Sequence, residues 1–126
     1  MTRELARQPH DVPGVFAERF NGGDLAAVLE VYEPDAVLIP EPGTAVRGES
    51  LRGALKQHLD LGLPITATPR QVVVSGDIAL VVVDWNIKGA DPQGKPFSLT
   101  GTATDVARRG SDGCWRYVID NPFGTQ

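Results

Sequence analysis

The sequence predicts an α+β fold in which three N-terminal helices pack on one face of a mainly antiparallel sheet. Apolar residues recur at helical spacing in the first half of the chain, whereas the second half consists of β-branched runs separated by turn signals. Helices that precede antiparallel strands are typical of this class, because they cover one face of the sheet. The 126 residues suit a single domain, of which residues 1–10 are predicted to form a flexible arm.

The ends of the three helices are marked by breakers and caps. The first helix ends at the Asn-Gly-Gly sequence of residues 21–23, after which Asp24 is placed to cap the second helix through its carboxylate. Glu33-Pro34 is predicted to end the second helix, since the residue before a proline disfavours helical geometry. The third helix begins near Gly48 and ends at Gly62.

Five segments are predicted to be strands. Gly76-Asp77 and two further Gly-containing turns separate the later segments, which indicates hairpins. The predicted strands are residues 36–39, 71–75, 78–88, 97–109 and 114–121.

The last predicted hairpin brings two carboxyl groups to one face of the sheet. With its turn centred at residues 111–112, Asp105 pairs with Val118 and Ala103 pairs with Asp120. Because side chains alternate along a strand, both aspartates then share a face with small residues, although a slip of one residue would separate them. In an apolar cavity the pKa of such carboxyls rises, so that they can act as general acids or bases near neutral pH. The alternative interpretation is a pair of solvated aspartates near a turn.

Other side chains are candidates for the same pocket. His58 lies on the apolar face of the third helix, where it either reaches a pocket mouth or completes a core hydrogen bond. Trp85 near the end of a hydrophobic strand is either a cavity wall or an ordinary core residue. Tyr32 is expected to anchor a helix end, and Glu41 between two prolines is either a loop carboxylate or a third acid–base group.

Charge and composition disfavour several classes of function. The net charge of −4 argues against nucleic acid, whose phosphates require clustered Lys and Arg. One cysteine, Cys114, and two distant histidines disfavour a disulfide or a metal site. The longest apolar run, residues 78–83, is too short to span a bilayer. We therefore expect a soluble cytoplasmic protein that needs no cofactor and binds neither membranes nor nucleic acid.

Several segments resemble one family across nearly the whole chain. Residues 21–25 (Asn-Gly-Gly-Asp-Leu), 32–38 (Tyr-Glu-Pro-Asp-Ala-Val-Leu) and 46–48 (Val-Arg-Gly) are similar to the opening of SnoaL-like and ketosteroid-isomerase-like domains. Residues 100–109 are similar to their end, and residues 118–124 (Val-Ile-Asp-Asn-Pro-Phe-Gly) resemble a bacterial branch. The resemblance implies the cone-shaped nuclear transport factor 2-like (NTF2-like) fold, in which a curved sheet wraps a long helix and a pocket lies at the open end. It also implies a homodimer formed through the outer face of the sheet.

The resemblance carries only part of the isomerase site onto this chain. The catalytic base of those isomerases matches Pro40, with Glu41 one residue later, and their oxyanion-hole tyrosine matches Phe16, which has no hydroxyl. Their second donor, a carboxylic acid kept protonated by its apolar site, matches Asp105. Steroid isomerisation is therefore disfavoured. The cyclases of the family use a single pocket aspartate, which either Asp105 or Asp120 supplies.

These observations favour a small-molecule pocket protein with acid–base catalysis of the isomerase or cyclase kind on a small apolar or polyketide-like carbonyl compound. Non-catalytic ligand binding and dimeric association are the alternatives. The catalytic candidates are Asp105, Asp120 and Glu41, and the ligand-binding candidates are Phe16, Tyr32, His58, Trp85 and Val118.

Overall fold

The computed structural model describes residues 3–126, which form three α-helices and six strands. A short 3₁₀ helix, Pro9–Asp11, precedes the first α-helix. The helices are α1 (Val12–Asn21), α2 (Leu25–Leu29) and α3 (Gly48–Asp60). The strands are β1 (Tyr32–Glu41), β2 (Thr44–Val46), β3 (Ile65–Ser75), β4 (Ile78–Ala90), β5 (Pro96–Arg109) and β6 (Trp115–Asp120).

All six strands form one curved, unclosed sheet in the order β2-β1-β6-β5-β4-β3. Neighbouring strands are antiparallel except β1 and β6, which run parallel. Strict alternation along β4 buries Ala79, Val81, Val83, Trp85 and Ile87 against the helices. The predicted α+β class, with three helices packed on a mainly antiparallel sheet, is confirmed. Within residues 3–126, none of the helices combines the length and hydrophobicity that a membrane crossing requires.

The second helix is shorter than its apolar pattern predicts. Asp24 caps it as predicted, accepting the Ala26 amide hydrogen at 3.0 Å, but the helix ends at Leu29 rather than at Pro34. Tyr32 already pairs with Tyr117 of β6, so residues 32–34 belong to β1. Pro34 lies where the β1–β6 register shifts. The missing amide hydrogen of a proline is tolerated at such an irregularity.

The third strand begins earlier than predicted, at Ile65 instead of residue 71. The Asn21 side chain at the end of α1 pairs with the backbone of Ile65 in both directions: its Nδ2 donates to the carbonyl at 3.0 Å, and its Oδ1 accepts the amide hydrogen at 2.8 Å. Pro69 coincides with a shift in the β3–β4 register, where a missing donor is tolerated. These contacts fix the end of α1 against the start of β3.

The segment predicted to be a flexible arm is packed against the sheet at Ala6. Its carbonyl oxygen accepts the Trp115 amide hydrogen at 2.8 Å, and the residue is 4% exposed. The buried guanidinium of Arg19 donates to the Arg3 carbonyl oxygen at 2.8 Å and to that of Ala27 at 2.7 Å. Met1 and Thr2, which the prediction also included, lie outside the described residues.

The register of the last hairpin differs from the predicted one. Ala107 pairs with Tyr117 and Arg109 pairs with Trp115, so the register differs from the predicted one by one residue near the turn. It differs by two residues at Val106, which pairs with Ile119, so the predicted pairing of Asp105 with Val118 is wrong. The predicted facing is wrong as well, because Trp115 and Tyr117 are buried in the core instead of pointing away from it. The hairpin is centred on Asp112, half a residue later than the predicted centre between residues 111 and 112.

A β-bulge in β6 restores the second aspartate to the interior. Val106 pairs with Ile119 although Ala107 pairs with Tyr117, so Val118 is an extra residue on β6. Beyond the bulge the alternation is reversed: Ile119 is 37% exposed, whereas Asp120 is 8% exposed. Asp105 and Asp120 therefore face the same interior despite the register error.

Candidate functional site

A pocket lies between the helices and the inner face of the sheet and encloses about 80 Å³ of free space. Aromatic and aliphatic side chains form most of its wall, and no lysine or arginine of the described residues lines it. Its ionisable lining side chains are Asp105, Asp120, Tyr117 and His58. The remaining lining residues are Phe16, Phe20, Leu38, Pro40, Leu55, Ile65, Ala67, Val83, Trp85, Ile87, Leu99, Ala103, Pro122 and Phe123.

The two aspartates reach this pocket from neighbouring strands. Asp105 lies on β5 and Asp120 ends β6, and their side chains are 2% and 8% exposed. Oδ1 of Asp105 accepts the Asn121 amide hydrogen at 2.8 Å, and Oδ2 of Asp120 accepts the Tyr32 hydroxyl at 2.5 Å. Each carboxyl group thus has one hydrogen-bond donor outside the pair.

Burial raises the pKa of both carboxyl groups. Removal from water raises the pKa of Asp105 well above its ordinary value, and the neighbouring charge of Asp120 raises it further, against a smaller opposing effect of the Asn121 amide. Burial also raises the pKa of Asp120, but hydrogen bonds from Tyr32 and Asp105 oppose this rise. Burial therefore favours the neutral form of both carboxyl groups, and two hydrogen bonds oppose this at Asp120 against one at Asp105.

Two tyrosines next to the pair remain protonated donors. Burial, followed by the charges of the two aspartates, raises the pKa of Tyr32 and of Tyr117 well above the ordinary tyrosine value. Tyr32 uses its hydroxyl to hold Asp120. Tyr117 lines the pocket, and its hydroxyl makes no hydrogen bond to any residue between 3 and 126, so it is available to a ligand.

The structure brings most of the predicted site residues together. Phe16, His58 and Trp85 line the pocket with the two aspartates. Tyr32 lies behind Asp120 and contacts Phe16 edge-on, with ring centroids 6.2 Å apart.

Besides Tyr32, two predicted residues lie outside the pocket lining. Glu41 is exposed because Leu38 and Pro40 of the same strand point inward, and alternation turns Glu41 outward. Its carboxylate accepts the Thr44 hydroxyl at 3.4 Å. Val118 is the bulge residue and does not line the pocket.

Sequence reasoning missed the contribution of the C-terminal segment. Pro122 and Phe123 line the pocket, and Asn121 supplies the amide that holds Asp105. Tyr117 was assigned to the opposite face by the wrong register. The one available signal was the position of Asn121-Pro122-Phe123 directly after Asp120, since consecutive residues necessarily stay close to the carboxyl pair. Among residues 3–126 no cluster of three or more His, Cys, Asp or Glu side chains is arranged to hold a metal ion.

Comparison with known proteins assigns the family. Residues 15–118 match the profile of the SnoaL-like domain, and the chain therefore belongs to this family. Its fold is that of the NTF2-like superfamily. No curated protein sequence matches the chain.

Solved structures share this fold at low sequence identity. A protein from Xanthomonas campestris, described as a candidate calcium/calmodulin-dependent protein kinase II association domain, is 18% identical with a TM-score of 0.79, covering 99% of this chain and 96% of its own. A candidate dehydratase of the NTF2-like family from Streptomyces avermitilis is 21% identical with a TM-score of 0.70, covering 86% and 88%. An NTF2-like superfamily protein from Salmonella enterica is 18% identical with a TM-score of 0.70, covering 93% and 90%.

Tyr32→Phe is expected to lower the free energy of unfolding at pH 7 by about 1.5–3 kcal/mol, the usual contribution of a hydrogen bond to a charged group. The loss follows from the missing donor to Asp120, and it should shrink at low pH, where that carboxyl is neutral. Urea unfolding at several pH values measures it. Tyr117→Phe removes a hydroxyl without a protein partner and is the matched control. Equal losses in the two variants would contradict the assignment.

The pH dependence of stability provides a second test. Since the pKa of Asp105 is raised by burial, the folded chain keeps a proton that the unfolded chain releases above the ordinary aspartate pKa of about 3.9. The stability of the wild type should therefore fall as pH rises from that value towards the higher folded pKa. Asp105→Asn carries no such proton. The free energy of unfolding of Asp105→Asn minus that of the wild type should therefore increase from pH 4 to pH 8. Asp35→Asn, at an exposed carboxylate, should follow the wild type. Parallel profiles for wild type and Asp105→Asn would refute the buried proton.

Proposed function

We propose that this SnoaL-like domain performs acid–base catalysis on a small, apolar carbonyl compound, with Asp105 and Asp120 as the catalytic pair. The observation that supports this proposal is a pair of buried carboxyl groups at the wall of an apolar pocket, where burial raises the pKa of both. A neutral acid and a carboxylate side by side are the two groups needed to remove a proton from one atom and stabilise charge at another.

The proposed step begins with the ionised Asp120. Its carboxylate takes a proton from the carbon next to the carbonyl, so that the C–H bond breaks and its electron pair moves into an enolate. The developing charge on the carbonyl oxygen is stabilised by hydrogen bonds from protonated Asp105 and from the Tyr117 hydroxyl. With a β,γ-unsaturated carbonyl compound the electron pair spreads into a dienolate, and return of the same proton from Asp120 to the γ-carbon completes an isomerisation. In the cyclase variant the enolate carbon attacks a second carbonyl carbon of the same molecule, and the resulting alkoxide takes the proton back from Asp120.

The electrostatics and size of the pocket restrict the charge and the size of the proposed substrate. The carboxyl pair would repel an anionic compound, and no lysine or arginine of the described residues lines the pocket to compensate for this repulsion. A neutral compound is therefore favoured. The free space of about 80 Å³ corresponds to roughly six buried waters. A compound with a single ring matches this space.

Deuterium exchange of cyclohexanone in D₂O, followed by NMR, tests the catalytic proposal. We expect the protein to accelerate exchange of the α-protons, and Asp105→Asn or Asp120→Asn to reduce this acceleration by about 10²–10⁴-fold. Asp35→Asn is the matched control and should retain the full rate. If folded Asp105→Asn and Asp120→Asn proteins accelerate the deuterium exchange of cyclohexanone as much as the wild type does, the two aspartates are not the catalytic groups. Binding of cyclohexanone without any exchange would instead favour a non-catalytic ligand-binding domain.

A second observation favours a homodimer formed through the outer face of the sheet. The pairings Val73–Leu80, Leu80–Val106 and Val106–Ile119 align one apolar row across four strands. Val73, Leu80 and Ile119 are between 37% and 49% exposed, and Ile78 on the same face of β4 is 39% exposed. A contiguous apolar patch of this kind is typical of protein–protein contact.

Leu80→Lys is expected to convert the dimer into a monomer, because it places a charge at the centre of the apolar row. Sedimentation velocity at micromolar concentration measures the change. Thr68→Lys introduces the same charge at an exposed position of β3 outside the row and should leave the dimer intact. A wild type that sediments as a monomer would contradict this association.

A further inference from the structure

The C-terminal segment of residues 121–126 continues along β5 after β6 has ended. The Asn121 carbonyl oxygen accepts the Thr104 amide hydrogen at 3.0 Å, so the segment lies beside the part of β5 that β6 does not reach. The Asn121 side chain fixes the following turn, because its Nδ2 donates to the Thr104 hydroxyl and to the Gly124 carbonyl oxygen, both at 2.9 Å. The segment is therefore built into the wall of the pocket.

Two glycines permit this close approach. A Cβ atom on Gly101 would lie 2.9 Å from the Pro122 carbonyl oxygen and 3.1 Å from the Trp85 ring. A Cβ atom on Gly124 would lie 2.5 Å from the Thr102 carbonyl oxygen, and its φ of +61° also favours glycine. The segment consequently lies directly on the backbone of β5.

Phe123 is held in place by Trp85. The Trp85 indole Nε1 donates to the Pro122 carbonyl oxygen at 2.7 Å, and the rings of Trp85 and Phe123 meet edge to face with centroids 5.6 Å apart at 68°. The same two rings line both the inner pocket and a groove of about 710 Å³ on the other side, where threonines and Asp84 are exposed. Phe123 is thus a partition between an 80 Å³ pocket and a larger open groove.

We propose that Phe123 is the specificity-determining residue that limits the ligand to a single ring. With its phenyl group removed, the inner pocket would join the outer groove, and a fused two-ring compound would fit. This inference shares with the proposed function only the assumption that the pocket receives the ligand, and it does not require the carboxyl pair to be catalytic.

Benzene and naphthalene test the size limit independently of catalysis, because neither hydrocarbon uses the carboxyl groups. Their affinities are measured by NMR titration, with the Trp85 indole N–H as the reporter and that of Trp115, outside the pocket lining, as the internal reference. Phe123→Ala is expected to raise the ratio of naphthalene to benzene affinity by about tenfold or more, since further ring carbons become buried. Phe123→Leu keeps more of the packing and should give an intermediate ratio.

Phe97→Ala is the matched control. Phe97 is also half-buried on the periphery of the core but does not line the pocket, so its truncation should leave the ratio within about twofold of wild type. A ratio unchanged in both Phe123 variants, or raised equally by Phe97→Ala, would overturn the inference. If the wild type does not accelerate deuterium exchange of cyclohexanone, the catalytic proposal is refuted. If Phe123→Ala still raises the ratio of naphthalene to benzene affinity, the inference about ligand size holds.

Discussion

The β-bulge at Val118 is the constraint on which the site depends. Regular pairing along β6 would continue the inward alternation of Trp115 and Tyr117 to Ile119 and would turn Asp120 towards solvent. The extra residue reverses the alternation, so that one short strand delivers two core aromatic residues and then a carboxyl group to the same interior. Without it, the pocket would retain a single aspartate.

The carboxyl pair is in turn an unfavourable arrangement that its surroundings moderate. Burial raises the pKa of both acids, and the charge of Asp120 raises that of Asp105 further. The fold offers the pair one backbone amide and one tyrosine hydroxyl, with no lysine or arginine of the described residues in the pocket lining. Burial is the largest cause at both groups, but the opposing hydrogen bonds differ: Tyr32 and Asp105 act on Asp120, and the Asn121 amide acts on Asp105. A difference in surroundings between two chemically identical groups is what the proposed acid–base chemistry requires.

The fold could be predicted from the sequence because its signals are local. Helical spacing, the Asp24 cap and the hairpin turns each act within a few residues, and the structure confirms them. The register of the last hairpin could not be predicted, since a four-residue Gly-Ser-Asp-Gly turn permits more than one centre, and no residue type marks the bulge. The wrong register and the missed bulge compensate each other for Asp120, which faces the interior as predicted. They do not compensate for Val118 or Tyr117, whose predicted positions are wrong. Phe123 was missed because irregular chain has no periodicity to indicate which way a side chain points.

The parallel pairing of β1 with β6 has a consequence for the order of folding. The Tyr32–Asp120 hydrogen bond joins residues that are 88 positions apart, whereas β3, β4 and β5 are joined to their neighbours by short turns. Long-range closure costs more chain entropy than hairpin formation and slows the events that depend on it. The hairpins can therefore form before the carboxyl pair has its tyrosine, and the proposed site is complete only when the two ends of the chain meet. A nascent or partly unfolded chain would have a sheet but no assembled acid–base pair.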